Sequence, residues 1–250
     1  MFASVYDKMG ADEHSIRMVE YTGRILRRFR IHPATCLDLC CGTGTAIERL
    51  LDFGLDMSGL DRSKEMLAIA AKKLRGNKVT LYRKELPKFR IPLGSRADKC
   101  VTFDLITCYY DSLNYLRNLT ELKTAFRSVR SHLKPGGWFI FDMNTPEALK
   151  ILWSGQVYAD SREDLAWIWK NEYFPKAKSA FLHTTFFVRK GKLWEKFEEH
   201  HYERAYSNAL IRKQLLLVGF QVKGFYRCFS FERARAADYR ICVVVRRPSR

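Results

Sequence analysis

The sequence of 250 residues predicts an α/β fold: a mostly parallel sheet with helices on both faces, carrying a small antiparallel β insert. Three observations predict it. Short apolar, strand-like runs alternate with helical patterns as far as about residue 145, as parallel strands joined by crossover helices do. The first of these runs is followed at once by Gly42 and Gly44 and then by a helical pattern, a strand–glycine turn–helix unit. Beyond residue 150, three long aromatic runs follow one another with no helix between them, which antiparallel pairing explains.

Residues 1–31 hold two helical patterns, with Ile16, Val19, Ile25, Leu26 and Phe29 on one face and Pro33 stopping the second. The first strand, 36–41, is small and apolar except for Asp38, and a lone acid there is costly unless it has a role. Gly42 and Gly44 permit a sharp turn and the close approach of a ligand to the backbone. The helix expected over 45–53 points free N–H groups and a positive dipole end at that loop, which makes a nucleotide-type site. The second strand, 54–61, ends on Asp61, 17 residues after Gly44, where an acid takes ribose hydroxyls in nucleotide-binding βαβ units. Ser63 is placed to cap the next helix, with Met66 at its third position and Leu67, Ala68, Ala70 and Ala71 packing inward.

The third strand falls at 79–82, and the polar, basic stretch 88–100 reads as a solvated connection. The fourth strand, 103–108, runs into the polar and aromatic loop 109–115 at a strand C-terminus, the ligand edge of an open α/β sheet. Leu122, Phe126, Val129 and Leu133 keep helical spacing, Lys134-Pro135-Gly136-Gly137 ends that helix, and 138–142 is a fifth strand. The aromatic runs are 165–174, 181–189 and 193–206, with Lys190-Gly191 turning the last two into a hairpin. A helix over 207–218 and strands over 220–226 and 239–245 return the chain to the main sheet, giving it seven strands. The division expected is 1–149 for the N-terminal helices and nucleotide-binding core, 150–206 for the insert, and 207–250 for the helix and strands that complete the core.

Composition narrows the function. A hydrophobic content of 47% suits a globular core, and no apolar run approaches the roughly 20 residues that span a bilayer. The first residues lack a basic region followed by an apolar block, so no signal peptide is expected. The 7 cysteines include no Cys-x-x-Cys pair, and Cys36, Cys40 and Cys41 have no further ligand at metal spacing. They read as reduced, small apolar residues of a cytoplasmic protein that holds no metal. The net charge of +17 is spread through 24–30, 72–75, 82–84 and the tail 246–250. It admits an anionic small-molecule acceptor or nucleic acid, and equally a basic solvated surface.

The ordered motifs carry a family resemblance. Asp38-Leu39-Cys40-Cys41-Gly42-Thr43-Gly44, then Gly59-Leu60-Asp61-Arg62-Ser63-Lys64-Glu65-Met66-Leu67, Phe103-Asp104-Leu105-Ile106-Thr107 and Leu133-Lys134-Pro135-Gly136-Gly137 occur in sequence over about 110 residues, with a strand ending at Asp142. The set resembles the class I S-adenosylmethionine-dependent methyltransferases. Asp111-Ser112-Leu113-Asn114-Tyr115-Leu116, the run 139–144, Phe186-Phe187-Val188-Arg189-Lys190-Gly191 and Glu199-His200-His201-Tyr202-Glu203-Arg204-Ala205-Tyr206 extend the likeness over nearly the whole chain. They look like a bacterial and archaeal branch similar to the N-methyltransferases of glycine and of nucleotide-linked amino sugars. The resemblance implies a Rossmann-like seven-stranded sheet. It implies S-adenosyl-L-methionine as methyl donor, S-adenosyl-L-homocysteine as product, and no metal.

Carried residue by residue, the resemblance places Cys40, Cys41, Gly42 and Gly44 along the methionine and ribose part of the cofactor. Asp38 would hold the amino end, Asp61 the ribose hydroxyls, and Arg62 and Met66 would flank the adenine. Glu85, with the Leu86 backbone, stands where the family usually has Asp beside adenine, and Cys40 stands where many members have Gly or Ala. Cys108 and Tyr109 would lie near the transferred methyl group, and Tyr6 would close over the cofactor. Asn114, Tyr115, Asn144 and Tyr206 are expected to contact the acceptor.

Methyl transfer is a direct displacement on an already activated donor, so a protein contributes alignment and exclusion of water. Aromatic faces suit the sulfonium charge, which points to Tyr6, Tyr109 and Tyr110. An amine must be neutral to attack, so an acid or a histidine has a use; Asp111 and His201 are the catalytic candidates. Asp111 could instead cap the helix after its loop. Asn114 and Tyr115 could equally be helix and packing residues, His200 and His201 would face opposite sides of a strand, and Tyr206 could equally be packing. The aromatic insert reads as a substrate lid or as a homodimer surface. The competing functions are an RNA or tRNA methyltransferase, favoured by charge, and a cofactor-binding protein without transferase activity. A dinucleotide enzyme is disfavoured because Ile47 stands where its last glycine or alanine should be.

Overall fold

Consecutive residues of the central strands enter two different cores, because side chains on a strand alternate between the faces of the sheet. Leu37, Ile106, Phe139, Phe141 and Val243 pack in one core with Phe126 and Ile211. Cys36, Leu105, Ile140 and Val244 pack in the other with Ile25, Ile47 and Ala70. The helices contributing to the two cores therefore lie on opposite faces.

The computed structural model describes residues 1–249; Arg250 of the basic tail lies outside the described residues. The chain runs α1 (Phe2–Tyr6), α2 (Glu13–Phe29), β1 (Thr35–Leu39), α3 (Thr45–Leu51), β2 (Asp56–Asp61), α4 (Lys64–Lys73) and β3 (Val79–Arg83). It continues with β4 (Pro92–Leu93), β5 (Arg96–Cys100), β6 (Phe103–Cys108), a 3-10 turn (Ser112–Tyr115), α5 (Leu119–His132), β7 (Leu133–Asn144) and α6 (Pro146–Leu152). The insert strands are β8 (Val157–Arg162), β9 (Leu165–Phe174), β10 (Ser179–Lys190) and β11 (Leu193–Arg204), followed by α7 (Asn208–Val218), β12 (Gln221–Arg227) and β13 (Arg240–Arg246).

The main sheet has seven strands in the order β12-β13-β7-β6-β1-β2-β3. β7, β6, β1, β2 and β3 are parallel, and β13 enters antiparallel between β7 and β12. The fold class expected from the sequence is the one found. The C-terminal ends of β1, β2, β6 and β7 lie side by side, and the loops that leave them build the site.

Three local expectations are corrected. Lys134-Pro135-Gly136-Gly137 does not interrupt the chain between helix and strand but lies inside β7, where Gly136 N donates to Arg247 O at 3.0 Å and Arg247 N to Gly137 O at 2.8 Å. The stretch 88–100 is more than a solvated connection. Phe89 and Ile91 are buried, the buried His132 ring accepts from Ile91 N at 3.0 Å, and β4 pairs with β5. The insert has a fourth strand, β8, which is exposed at every position and so shows no apolar alternation to read. The anticipated hairpin is β10 with β11, paired from Ser179↔Arg204 to Lys190↔Leu193.

Candidate active site

The loop after β1 turns through left-handed residues: Cys40 at φ 56, Gly42 at φ 54 and Gly44 at φ 82. Its anchor is β2. Cys41 N donates to Leu60 O at 3.0 Å, and Gly42 N donates to Asp61 Oδ2 at 2.9 Å. The other oxygen of Asp61 accepts from Ser63 N at 2.8 Å, while Ser63 Oγ caps α4 by accepting from Met66 N at 3.1 Å. The approach of loop to strand depends on Gly59: a Cβ there would stand 2.5 Å from Ile47 Cδ1 and 2.9 Å from Cys41 Sγ.

Asp38 lies opposite Thr107 in the β1–β6 register, and Thr107 Oγ1 donates to Asp38 Oδ1 at 2.7 Å. Burial pushes this carboxyl up to about 7, against the lowering effect of the Thr107 hydrogen bond.

These loops open on a cleft of about 860 Å³, room for a nucleoside-sized ligand and a second small molecule. Asp38, Cys40, Cys41, Gly42 and Asp61 border it from β1 and β2, Arg62 and Met66 from the start of α4, and Glu85 and Leu86 from the loop after β3. Tyr6 reaches it from α1, and Tyr109, Asp111, Tyr115, Asn144 and His201 border it from the other side of the sheet edge.

Four of the expected residues do not border the cleft. Gly44 starts α3 and faces α4, where a Cβ would meet Ala70 Cβ at 3.1 Å. Cys108 is fully buried in the core. Asn114 ties elements together: its amide donates to Asn144 O and to Arg204 O, each at 3.0 Å, and its carbonyl accepts from Asn144 N at 3.0 Å. Tyr206 is a core residue whose hydroxyl donates to Leu116 O at 2.6 Å. Tyr109 borders the cleft, yet its hydroxyl turns away to Thr22 Oγ1 at 2.7 Å.

Asp111 does not act as a side-chain cap. Its Oδ1 accepts from Arg240 Nη1 at 2.6 Å, and the same nitrogen donates to Asp142 Oδ2 at 2.5 Å. Asp142 also faces His14 Nε2 at 3.1 Å and accepts from Tyr110 N at 2.7 Å. Burial alone would raise Asp142, but Arg240 and His14 together hold it below the usual carboxylate range.

His201 Nδ1 lies 2.9 Å from the Tyr115 hydroxyl, and its ring packs on Phe2. Burial, and then the nearby Arg62, lower its affinity for a proton. His200 is the exposed one of the two, paired with His183 at 2.9 Å.

Several site residues escaped the sequence reading. Glu203 is 1% exposed, borders the cleft and accepts from Asn144 Nδ2 at 2.8 Å. Its signal was strand periodicity, since it lies two residues beyond His201 on the same face of β11. Arg240 arrives from the last strand with no local signal. Asp7 is a third: Thr43 Oγ1 donates to it at 2.6 Å, and Lys73 Nζ at 2.8 Å, so that α1 is strapped to the glycine loop. Among the described residues, no three His, Cys, Asp or Glu side chains converge as metal ligands would.

A glycine-loop cleft at the C-terminal ends of β1, β2 and β6 defines a nucleoside-binding α/β protein. A family model described as a methyltransferase domain matches residues 36–137. "Putative methyltransferase YqeM" of Bacillus subtilis (strain 168) is 30% identical over 221 residues, covering 88% of this chain and 85% of that one. A dTDP-3-amino-3,4,6-trideoxy-alpha-D-glucopyranose N,N-dimethyltransferase of Streptomyces venezuelae is 36% identical over 105 residues, 42% of this chain and 40% of its own. The crystal structure of an S-adenosylmethionine-dependent methyltransferase from Clostridium acetobutylicum ATCC 824 superposes with a TM-score of 0.86 at 30% identity, covering 99% of this chain and 98% of that one. The chain belongs to the S-adenosylmethionine-dependent methyltransferases.

The cleft suits that cofactor. The space where a Gly42 Cβ would stand is clear of other atoms within 4 Å, leaving the loop backbone open to a ligand. Asp61 is already oriented by two backbone N–H groups, and its lone pairs outnumber those two bonds.

Proposed function

We propose that this methyltransferase acts on the amine of a small molecule that carries an anionic group at its other end. The observation that carries the reading is the pair of acids, Asp111 and Glu203, at the acceptor side of the cleft. One guanidinium, Arg240, is shared among Asp111, Asp142 and Glu203, so the site suits an amine that becomes positively charged as it is methylated. Lys84 and Arg117 border the same cleft and suit a phosphate or carboxylate. The Streptomyces venezuelae relative, whose named substrate is a nucleotide-linked amino sugar, supports this pairing of charges.

In this reading Asp61 takes the ribose hydroxyls, and Asp38 holds the amino end of the methionine part against the backbone of Cys40 to Gly42. Arg62, Met66, Glu85 and the Leu86 backbone enclose the adenine. When bound, the cofactor supplies a methyl group on a positively charged sulfur. Tyr6, the half-buried last residue of α1, borders the cleft, excludes water from that centre and offers it an aromatic face. Tyr115, Asn144 and the insert hold the acceptor. The insert of residues 150–206 is a lid, supported by Trp169, Leu182 and His201 bordering the cleft and by Phe2 packing on Phe186. The free state of all seven cysteines suits a reducing cytoplasm, and no described helix is long and apolar enough to cross a membrane.

The experiment is methyl transfer from labelled S-adenosylmethionine to nucleotide-linked amino sugars, amino acids, simple amines, hydroxy acids and RNA. Label on an anionic amine is expected. Label confined to RNA or to hydroxyl groups overturns the reading.

A further inference from the structure

Two carboxyls stand together at the acceptor side, and their partners differ. Asp111 accepts from the Arg240 guanidinium at 2.6 Å, so its negative charge is matched within the protein. Glu203 accepts from the neutral Asn144 amide at 2.8 Å, and sits beside Asp111 with 1% of its surface exposed. Of the two, Glu203 is the one whose charge is free to change during a reaction cycle.

We propose that Glu203 is the proton acceptor of the methyl transfer. The proposal rests on the amine reading above. In the step, the acceptor nitrogen's lone pair forms the new N–C bond and the C–S bond breaks with its electron pair going to sulfur. The N–H proton released from the now positive nitrogen passes to the Glu203 carboxylate and leaves later to solvent. No oxidant, reductant or further reactant is required.

The surroundings of Glu203 suit this task better than those of His201. Burial, and then the neighbouring Asp111, push the Glu203 carboxyl well above its ordinary range, while Asn144 and Arg240 pull the other way. A carboxylate so placed holds firmly a proton that it has accepted. Tyr110 and Tyr115 also face it, and both stay protonated because burial raises them. His201 on the same strand face has burial and Arg62 opposing its protonation. Its bond to the Tyr115 hydroxyl fits a positioning residue instead.

The test needs no knowledge of the acceptor. Sinefungin carries an amine where the cofactor has its methylsulfonium, and S-adenosylhomocysteine carries neither group. If the ionised Glu203 faces the reacting position, the wild-type protein binds sinefungin more tightly by about tenfold or more in calorimetry, the scale of a close buried charge pair. The preference grows with rising pH as Glu203 ionises. Glu203→Gln removes the preference while S-adenosylhomocysteine still binds within about threefold of wild type, a small change on the affinity scale. Glu203→Asp retains part of it. Equal affinity for the two ligands in wild type, or an undiminished preference in Glu203→Gln, overturns the proposal. Should Glu203→Gln lose its cooperative melting transition, the wild-type comparison and Glu203→Asp decide alone. If hydroxyls and no amines are methylated, the amine reading falls and the N–H proton step falls with it, whereas loss of the sinefungin preference with amines methylated overturns the role of Glu203 alone.

Discussion

Arg240 Nη1 stands 2.6 Å from Asp111 Oδ1, a contact between the last strand of the sheet and the loop after β6. The same nitrogen also reaches Asp142. Two acids at the sheet edge therefore depend on one guanidinium delivered by an antiparallel strand. Removing it leaves buried Asp111 without a counter-charge and Asp142 with His14 alone, a loss of about 3 kcal/mol or more. Arg240→Met should unfold at a correspondingly lower denaturant concentration. Asp142 is held below its ordinary range in the folded protein, so its contribution is present at neutral pH and lost as pH falls through that lowered value. The gap between Arg240→Met and wild type should narrow in acid.

Asp61 is the acid most directly built for the cofactor. Its two oxygens already accept from Gly42 N and Ser63 N, which fixes the carboxylate at the mouth of the glycine loop. Asp61→Ala should weaken S-adenosylhomocysteine binding by about 1–3 kcal/mol, the scale of removing a charged hydrogen-bond acceptor from a buried site. Calorimetry on a variant with unchanged circular dichroism measures it. Unaltered affinity would remove Asp61 from the binding site.

Asp38 carries a pH signature. Its carboxyl is raised to about 7 in the folded protein by burial, whereas an unfolded chain ionises it near its ordinary value of about 3.9. Between those two values the folded state holds the proton and the unfolded state does not, so this group makes stability fall as pH rises. Asp38→Asn should therefore melt higher than wild type at pH 8 and lose that advantage toward pH 4, a pair of conditions straddling both values. The same variant should bind S-adenosylhomocysteine more weakly. In wild type that affinity should rise through pH 7 as the carboxylate forms to meet the ligand's ammonium group. Flat affinity across this range would detach Asp38 from the amino end of the ligand.

Asp38, Gly42, Asp61 and the Ser63 cap were legible because short-range rules write them into consecutive residues: a lone acid in an apolar run, glycines at a turn, a capping serine. Asp111 was legible as a position, a polar residue beyond a strand end. Its partner was not, since Arg240 lies 129 residues away and only the antiparallel entry of β13 between β7 and β12 brings them together. Tyr206 and Asn114 show the converse. Polar and aromatic residues near a ligand edge look like contacts for a substrate, but both spend their hydrogen-bonding groups on backbone groups of neighbouring elements. β8 was missed because an edge strand exposed at every position has no inward face to mark it.

The N-terminal strap gives the last prediction. α1 has only five residues, too short to persist by itself. It is held from two sides. Asp7 accepts from Thr43 Oγ1 at 2.6 Å and from Lys73 Nζ at 2.8 Å, joining it to the glycine loop and α4. Lys8 Nζ donates to Asp164 Oδ2 at 2.5 Å, and Phe2 packs on Phe186, joining it to the insert. Tyr6 lies between these anchors and borders the cleft. Asp7 and Lys73 are partly exposed, at 33% and 20% of their side-chain surface, so the ion pair itself contributes less than about 1 kcal/mol to stability. Asp7→Ala should accordingly leave the melting temperature within about 2 °C of wild type, the shift that a few tenths of a kcal/mol produce in a chain of this size. Its effect should appear in ligand exchange. A strap that opens more often releases the cofactor faster, so the dissociation rate of S-adenosylhomocysteine should rise by about two- to threefold, an opening cost lowered by a few tenths of a kcal/mol. Lys8→Ala, acting on the opposite anchor through a more exposed pair, should give a smaller increase. Stopped-flow displacement by excess S-adenosylmethionine measures both. Equal rates in Asp7→Ala and wild type would mean that α1 does not gate the cleft, and that Tyr6 leaves the ligand by a motion independent of its helix.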